Sequence, residues 1–295
     1  MASHAPRPPR PDPLELRIRA VRGLLHAGHP DRAADRCAAL RDRAARSGAR
    51  RWQTAFGALR AEALLCLGGL AAAEREAATA VRAAGSDTPL RLWPVAVLAQ
   101  ALTELGRTDE ADEQLRRAAP GPLPLTEDVL PYLRARGRRL LAVRCPEEAL
   151  ADFLRVGELA ERQDSGLFAQ LPWRTDAAEA LVHLGRYDRA TKLIDAQLTA
   201  AAEPGPRHRG LALRLRAATQ EPALRPATLC LAAAELRTAG DRPAQAQVLA
   251  DLSDALSDLG DDSAAGVFLR RAWHLAADCG AVPLCERLRP ELVAT

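Results

Sequence analysis

The chain has 295 residues and a formal net charge of +3, from 41 Lys plus Arg against 38 Asp plus Glu, so it lacks the basic excess that drives nonspecific phosphate binding. Hydrophobic residues make up 48% but aromatics only 3%, so Ala and Leu must do the packing, which favours an array of helical repeats over compact mixed domains. No apolar run of about 18 residues exists, which excludes a membrane-spanning helix.

Residues 1–13 carry five prolines before any periodicity begins and predict a flexible leader. From Leu14 onward the pattern is helical, and residues 14–292 read as one helical repeat domain. Leu14, Ile18, Val21 and Leu25 share a helix face that ends at Gly28, and Ala33, Cys37 and Leu40 lie on a return helix. A second pair turns at Gly68-Gly69, between Phe56, Leu59, Ala63 and Leu67 on one side and Ala73, Ala77 and Val81 on the other. The third turns at Gly106 and closes at the proline-rich loop 120–124.

The fourth pair, about 127–160, has Arg144-Cys145 where the turn glycine should stand, so its turn must change geometry or bear a left-handed strain of about 1 kcal/mol. The fifth is the clearest: Ala177, Ala180, Leu181 and Leu184 lead to Gly185, and Ala190, Ile194 and Leu198 return. The sixth is irregular, since Leu211, Leu213 and Leu215 alternate and, after a turn at about Gln220, Glu221-Pro222 with Pro226 are expected to break its return helix early. In the seventh, Leu249, Leu252, Leu256 and Leu259 reach Gly260, and Ala264, Phe268, Ala272 and Leu275 come back. A short helix over 282–292 is expected to cap the array.

The seven turns are spaced by 35 to 41 residues. That period predicts an all-α fold, a right-handed α-solenoid of about seven TPR-like hairpins, because a single hairpin cannot bury its own apolar stripe.

Chemistry is sparse by comparison. No GxxxxGK[ST], HExxH or GxSxG is present, so no catalytic residue, cofactor site or metal site is expected. His274, Cys279 and Cys285 lack ligand spacing, and with no CxxC and no secretory signal the six cysteines read as small core residues of a cytoplasmic protein. Lys192 is the only lysine, and the arginines read mostly as solvated helix faces. The run Arg134, Arg136, Arg138 and Arg139 alternates around a helix instead of forming one stripe. Trp52, Trp93 and Trp173 open first helices and suit wedging between pairs.

Several stretches carry a resemblance: RARGRR at 134–139, PEEALADF at 146–153, LPWR at 171–174 and AADCGAVPLCERLRPEL at 276–292. They resemble the tetratricopeptide-like region of the large ATP-binding LuxR-type (LAL) transcriptional regulators of actinobacteria. The resemblance implies the sensing and assembly portion of such a regulator, without its ATPase and helix-turn-helix modules. It implies neither ATP hydrolysis nor DNA reading by these residues.

Two functions follow as expectations. One is a non-enzymatic scaffold that binds a protein partner along its concave face in transcriptional control. The other is a small-molecule inducer sensor with an interhelical pocket, for which a closed, mostly apolar cavity of about 300 Å³ or more would speak. Candidate contacts for ligand or partner are Trp93, Arg134, Arg138, Trp173 and Arg174, with Trp173 and Arg174 as the aromatic and cationic pair of a pocket. No direct nucleic-acid binding and no membrane partner are expected, and a homo-oligomer is compatible with the pattern.

Overall fold

A computed structural model describes residues 12–86, 88–119, 121, 123, 127–162, 168, 171–199 and 205–289. The described residues form fifteen α-helices and no strand. They are α1 (Pro13–His26), α2 (Pro30–Arg46), α3 (Arg50–Cys66), α4 (Leu70–Ala84), α5 (Thr88–Glu104), α6 (Thr108–Ala118), α7 (Val129–Ala142) and α8 (Pro146–Arg162). There follow α9 (Trp173–His183), α10 (Tyr187–Leu198), α11 (Pro206–Ala218), α12 (Arg225–Thr238), α13 (Arg242–Ser257), α14 (Asp262–Cys279) and α15 (Val282–Leu288). Each helix packs on the next, and the result is an all-α solenoid of seven hairpins with α15 as the short last helix. No helix among the described residues is long and apolar enough to cross a membrane.

One device makes nearly every turn. At the end of α1 the N–H of Gly28 donates to the Leu25 carbonyl, and the N–H of His29 donates to that of Leu24 at 2.9 Å. This crossed pair of bonds answers the orphan carbonyls of the last helical turn, and it needs a left-handed residue between the helices. The same pair recurs around Gly68, Gly106, Arg144, Gly185, Gly240, Gly260 and Gly280, and the 6→1 acceptor is a leucine in six of these. Arg144 keeps the shared geometry at φ 64°, so the fourth hairpin bears the strain of a left-handed side chain instead of changing its turn.

Three expectations change. Pro13 is the first residue of α1, capped by Asp12, so the helix begins inside the expected leader; residues 1–11 lie outside the described ones. In the sixth hairpin the prolines start the return helix instead of breaking it. Pro222 opens a short 3-10 turn, 222–224, and Pro226 sits in the first turn of α12, where its missing N–H costs nothing. In the seventh, Leu259 lies in the turn and is 48% exposed, and the buried stripe of α14 is Ala265, Ala272, Ala276 and Cys279.

Alanine-rich faces allow close helix approach, and two interior glycines carry this further. A Cβ on Gly137 of α7 would lie 2.5 Å from the Phe153 ring, and one on Gly157 of α8 would lie 2.7 Å from Trp173. Both aromatic rings are buried, so neither can simply swing away.

The solenoid also closes on itself. The core cluster of the first hairpins includes Ala246, Ala276, Cys279 and Ala281 from the last ones, and α3 packs against α13. Turn glycines make the seam: a Cβ on Gly28 would meet the Thr238 carbonyl at 2.6 Å, and one on Gly240 would meet Pro30 at 2.8 Å. Gly106 abuts Pro283 in the same way. First helices therefore face inward around a common centre.

Two substitutions separate backbone strain from packing in this fold. Arg144→Gly relieves the left-handed strain and raises unfolding free energy by about 1 kcal/mol. Gly157→Ala adds helix propensity but forces a methyl into Trp173, for a net loss of about 1–2 kcal/mol. Urea denaturation of both variants checks the opposite signs.

Candidate functional site

Closure leaves a central cavity of about 440 Å³ walled by residues of α3, α5, α7, α9, α11, α13 and α15 together with the adjoining turns. A side chamber of about 120 Å³ shares Leu65, Cys66, Gln100, Arg134 and Arg207 with it. Leu65, Leu70, Leu141, Leu211, Leu215 and Leu284 help make the lining more apolar than polar, and the volume exceeds the size the second expectation set, but the cavity is rich in charge and partly open instead of closed.

These charges form a ladder. On α7, Arg134 donates from Nε to Asp176 of α9 at 2.6 Å and from Nη2 at 3.3 Å. Arg138, one turn on, donates to Glu179 of α9 and lies 3.6 Å from Asp176. From the other side Arg214 of α11 donates to Glu179 at 2.9 Å and to Asp251 of α13 at 2.6 Å. Asp251 also accepts from Gln247 at 2.8 Å and pairs with Arg287 of α15 at 3.4 Å. Arg207 donates to Asp241 at 2.6 Å, and Asp241 caps α13 through the Ala244 N–H. Five consecutive first helices are thus cross-linked by charge-assisted hydrogen bonds, the stronger kind.

Burial alone would raise the Glu179 carboxyl, but Arg138 and Arg214 outweigh it and hold that carboxyl well below the usual range. Glu104, the last residue of α5, behaves oppositely. Burial pushes its carboxyl up, Arg138 is the largest influence the other way, and among the described residues no hydrogen bond or ion pair reaches it. Cys66 lines the cavity with its thiol pushed up to about 12 by burial, which keeps it protonated and inert.

The predicted contact residues divide. Arg134 and Arg138 line the cavity and share one face of α7, four residues apart. Arg136 turns instead to Asp152 of α8, and Arg139 to Asp112 of α6 at 3.2 Å, so the basic run does contain a stripe on its cavity side. Trp93, Trp173 and Arg174 do not line the cavity. Trp93 is buried, donates from Nε1 to Glu62 at 2.6 Å and meets Phe168 edge-on, with the Arg22 guanidinium 5.1 Å above its ring. Trp173 packs on Gly157, while Arg174 stacks on it at 4.4 Å and pairs with Glu161. This pair is a brace between α8 and α9, because the indole fills the space left by the missing Gly157 side chain.

Glu104, Glu179, Arg207, Arg214, Asp251 and Arg287 were missed by motif search. Their signal is periodic: Arg138, Glu179, Arg214, Asp251 and Arg287 follow one another at 41, 35, 37 and 36 residues, with alternating sign. Many arginines expected to solvate helix faces serve in this ladder instead. Among the described residues no group of His, Cys, Asp and Glu is placed to hold a metal ion.

No protein-family model matches the chain, and no curated protein is similar to it. Solved structures are. The crystal structure of Rap protein complexed with Competence and Sporulation Factor superposes with a TM-score of 0.67, at 14% identity, over 88% of this chain and 74% of that one. BtubC (BKLC) from P. vanneervenii gives a TM-score of 0.44 at 13% identity, over 72% of this chain and 90% of that one. The Rap likeness establishes a TPR-like helical-repeat fold.

Two outcomes test the electrostatics. Glu179→Gln leaves Arg138 and Arg214 short of a counter-charge and costs about 3 kcal/mol at pH 7. A depressed carboxyl contributes stability above its unfolded range and loses it only as pH falls below that range, so this difference from wild type persists down to acid pH. A raised carboxyl contributes stability at low pH and loses it as pH rises through the folded value, so Glu104→Gln leaves stability at pH 7 equal or higher. Denaturation of both variants between about pH 3 and about pH 8 reads the two signs. As a second test, a thiol reagent labels exposed Cys230 in the native protein, while Cys37, pushed up to about 12 by burial, and Cys279, pushed up to about 11, react only after unfolding.

Proposed function

We propose that this chain is a non-catalytic TPR-like receptor that takes a small ligand, or an extended segment of a protein partner, into its central cavity. We further propose that it acts as the sensing portion of a LuxR-type transcriptional regulator, a setting supported by the sequence resemblance at 134–139, 146–153, 171–174 and 276–292. The observation that carries the binding role is the central, partly open cavity of about 440 Å³, walled by seven inner helices and of ligand size.

The same closure narrows the partner. A folded protein needs about 800 Å² on each side of a stable interface, which the rim of such a cavity does not offer to a globular surface. A small molecule or a single extended strand of chain fits. The chemistry of the walls supports binding over turnover: Asp176, Glu179 and Asp241 are held in ion pairs, and Cys66 is protonated. A Rap protein of this fold crystallised complexed with Competence and Sporulation Factor, which supports a binding role by analogy of fold.

Gln100 lines both chambers, so Gln100→Trp fills their junction. In thermal-shift screening against metabolite and short-peptide collections, at least one compound raises the wild-type melting temperature and fails to raise that of Gln100→Trp. No shift with any compound, or shifts that survive in Gln100→Trp, overturns the reading.

A further inference from the structure

Resting on that reading, we infer that the ligand of the central cavity carries a protonated amine, and that the Glu104 carboxylate receives it. The inference comes from what remains after the cavity's charges are paired off. Arg134 and Arg138 are committed to Asp176 and Glu179, Arg214 to Glu179 and Asp251, Arg207 to Asp241, and Arg287 to Asp251. Glu104 alone among the carboxylates and guanidiniums of the lining has no ion pair or hydrogen bond.

Its position sharpens the point. Glu104 falls 34 residues before Arg138, one repeat earlier, and continues the alternation of sign, so it is the first rung of the ladder. Arg138 would be its natural partner but turns to α9 instead. Glu104 also ends α5, where the helix field is negative and favours a cation. A carboxylate and a helix C-terminus therefore both bring negative potential to a partly desolvated chamber, where Arg138 and Arg207 act on the carboxylate through space and no group among the described residues bonds to it. An acid in that position is costly to fold, and a bound cation offsets the cost.

The surroundings fit an ammonium with an apolar body. Gln100 lies one turn earlier on the same helix face and offers an amide oxygen, while Leu70, Leu141 and Leu284 line the same cavity. A compact ammonium has three donors, enough to engage both Glu104 and Gln100. An α-amino group of a short peptide and a free organic amine share this chemistry.

The test is a fragment panel sorted by charge at neutral pH: free amines, carboxylates, neutral compounds, and short peptides with free or acetylated N-termini. Binding to the full chain is read by ligand-observed NMR and titration calorimetry. Amines are enriched among compounds whose binding is lost in Gln100→Trp, and Glu104→Gln weakens them by about tenfold or more while sparing neutral binders. Loss of affinity on N-acetylation assigns the peptide source, and retention by free amines alone assigns the small-molecule source. Binders that are lost in Gln100→Trp but indifferent to Glu104→Gln overturn the amine assignment and leave the cavity reading standing. The absence of any binder sensitive to Gln100→Trp overturns both. Unchanged or raised melting of Glu104→Gln excludes misfolding as the cause of a loss.

Discussion

The constraint on which this architecture depends is the alternation of charge along its inner wall. Each of α7, α9, α11, α13 and α15 presents to its neighbour a group of opposite sign, so every adjacent pair among these five inner helices is fixed by at least one carboxylate–guanidinium contact. An inner wall made only of Ala and Leu would hold helices together without fixing how far one slides along the next. Directional fork-shaped guanidiniums do fix it. The apolar seam supplies the driving force, and the ladder sets the register.

That register makes the closure meaningful. Because the hairpins curl until Gly28 meets Thr238 and Gly106 meets Pro283, the concave surface that an open solenoid would offer broadly becomes a chamber. Its polarity distinguishes it from a simple greasy pocket. Most of its charge is already neutralised internally, so recognition falls to the few groups left over, among which Glu104 stands out.

Much of the fold was legible because its signals are local. A leucine four residues ahead of a left-handed glycine repeats at Leu24, Leu64, Leu102, Leu181, Leu236 and Leu256, and each reports one turn bonded in one way. At Arg144 the bonding pattern, with Leu140 as acceptor, overrides residue preference, which shows that the packed hairpin dictates the turn. The sixth hairpin misled because proline reads alike whether it breaks a helix or begins one. The site was less legible because its groups lie far apart in sequence and belong to common residue types. Arg214 and Asp251 look like surface charges until the repeat register aligns them with Arg138 and Glu179. Trp173 misled for a related reason: a large aromatic near a helix start draws attention, yet its place was set by an absent side chain at Gly157.

Joined ends have a consequence for how such a molecule can vary over time. Open solenoids lengthen or shorten by duplicating or losing single units, since an added unit only has to match its two neighbours. Here a lone extra hairpin would set like charge against like along the inner wall and would spoil the fit where first and last units meet. Gain or loss in twos would keep the signs in order, but the circle would have to be rebuilt. The number of units is thereby frozen, and change is steered toward single residues facing the interior.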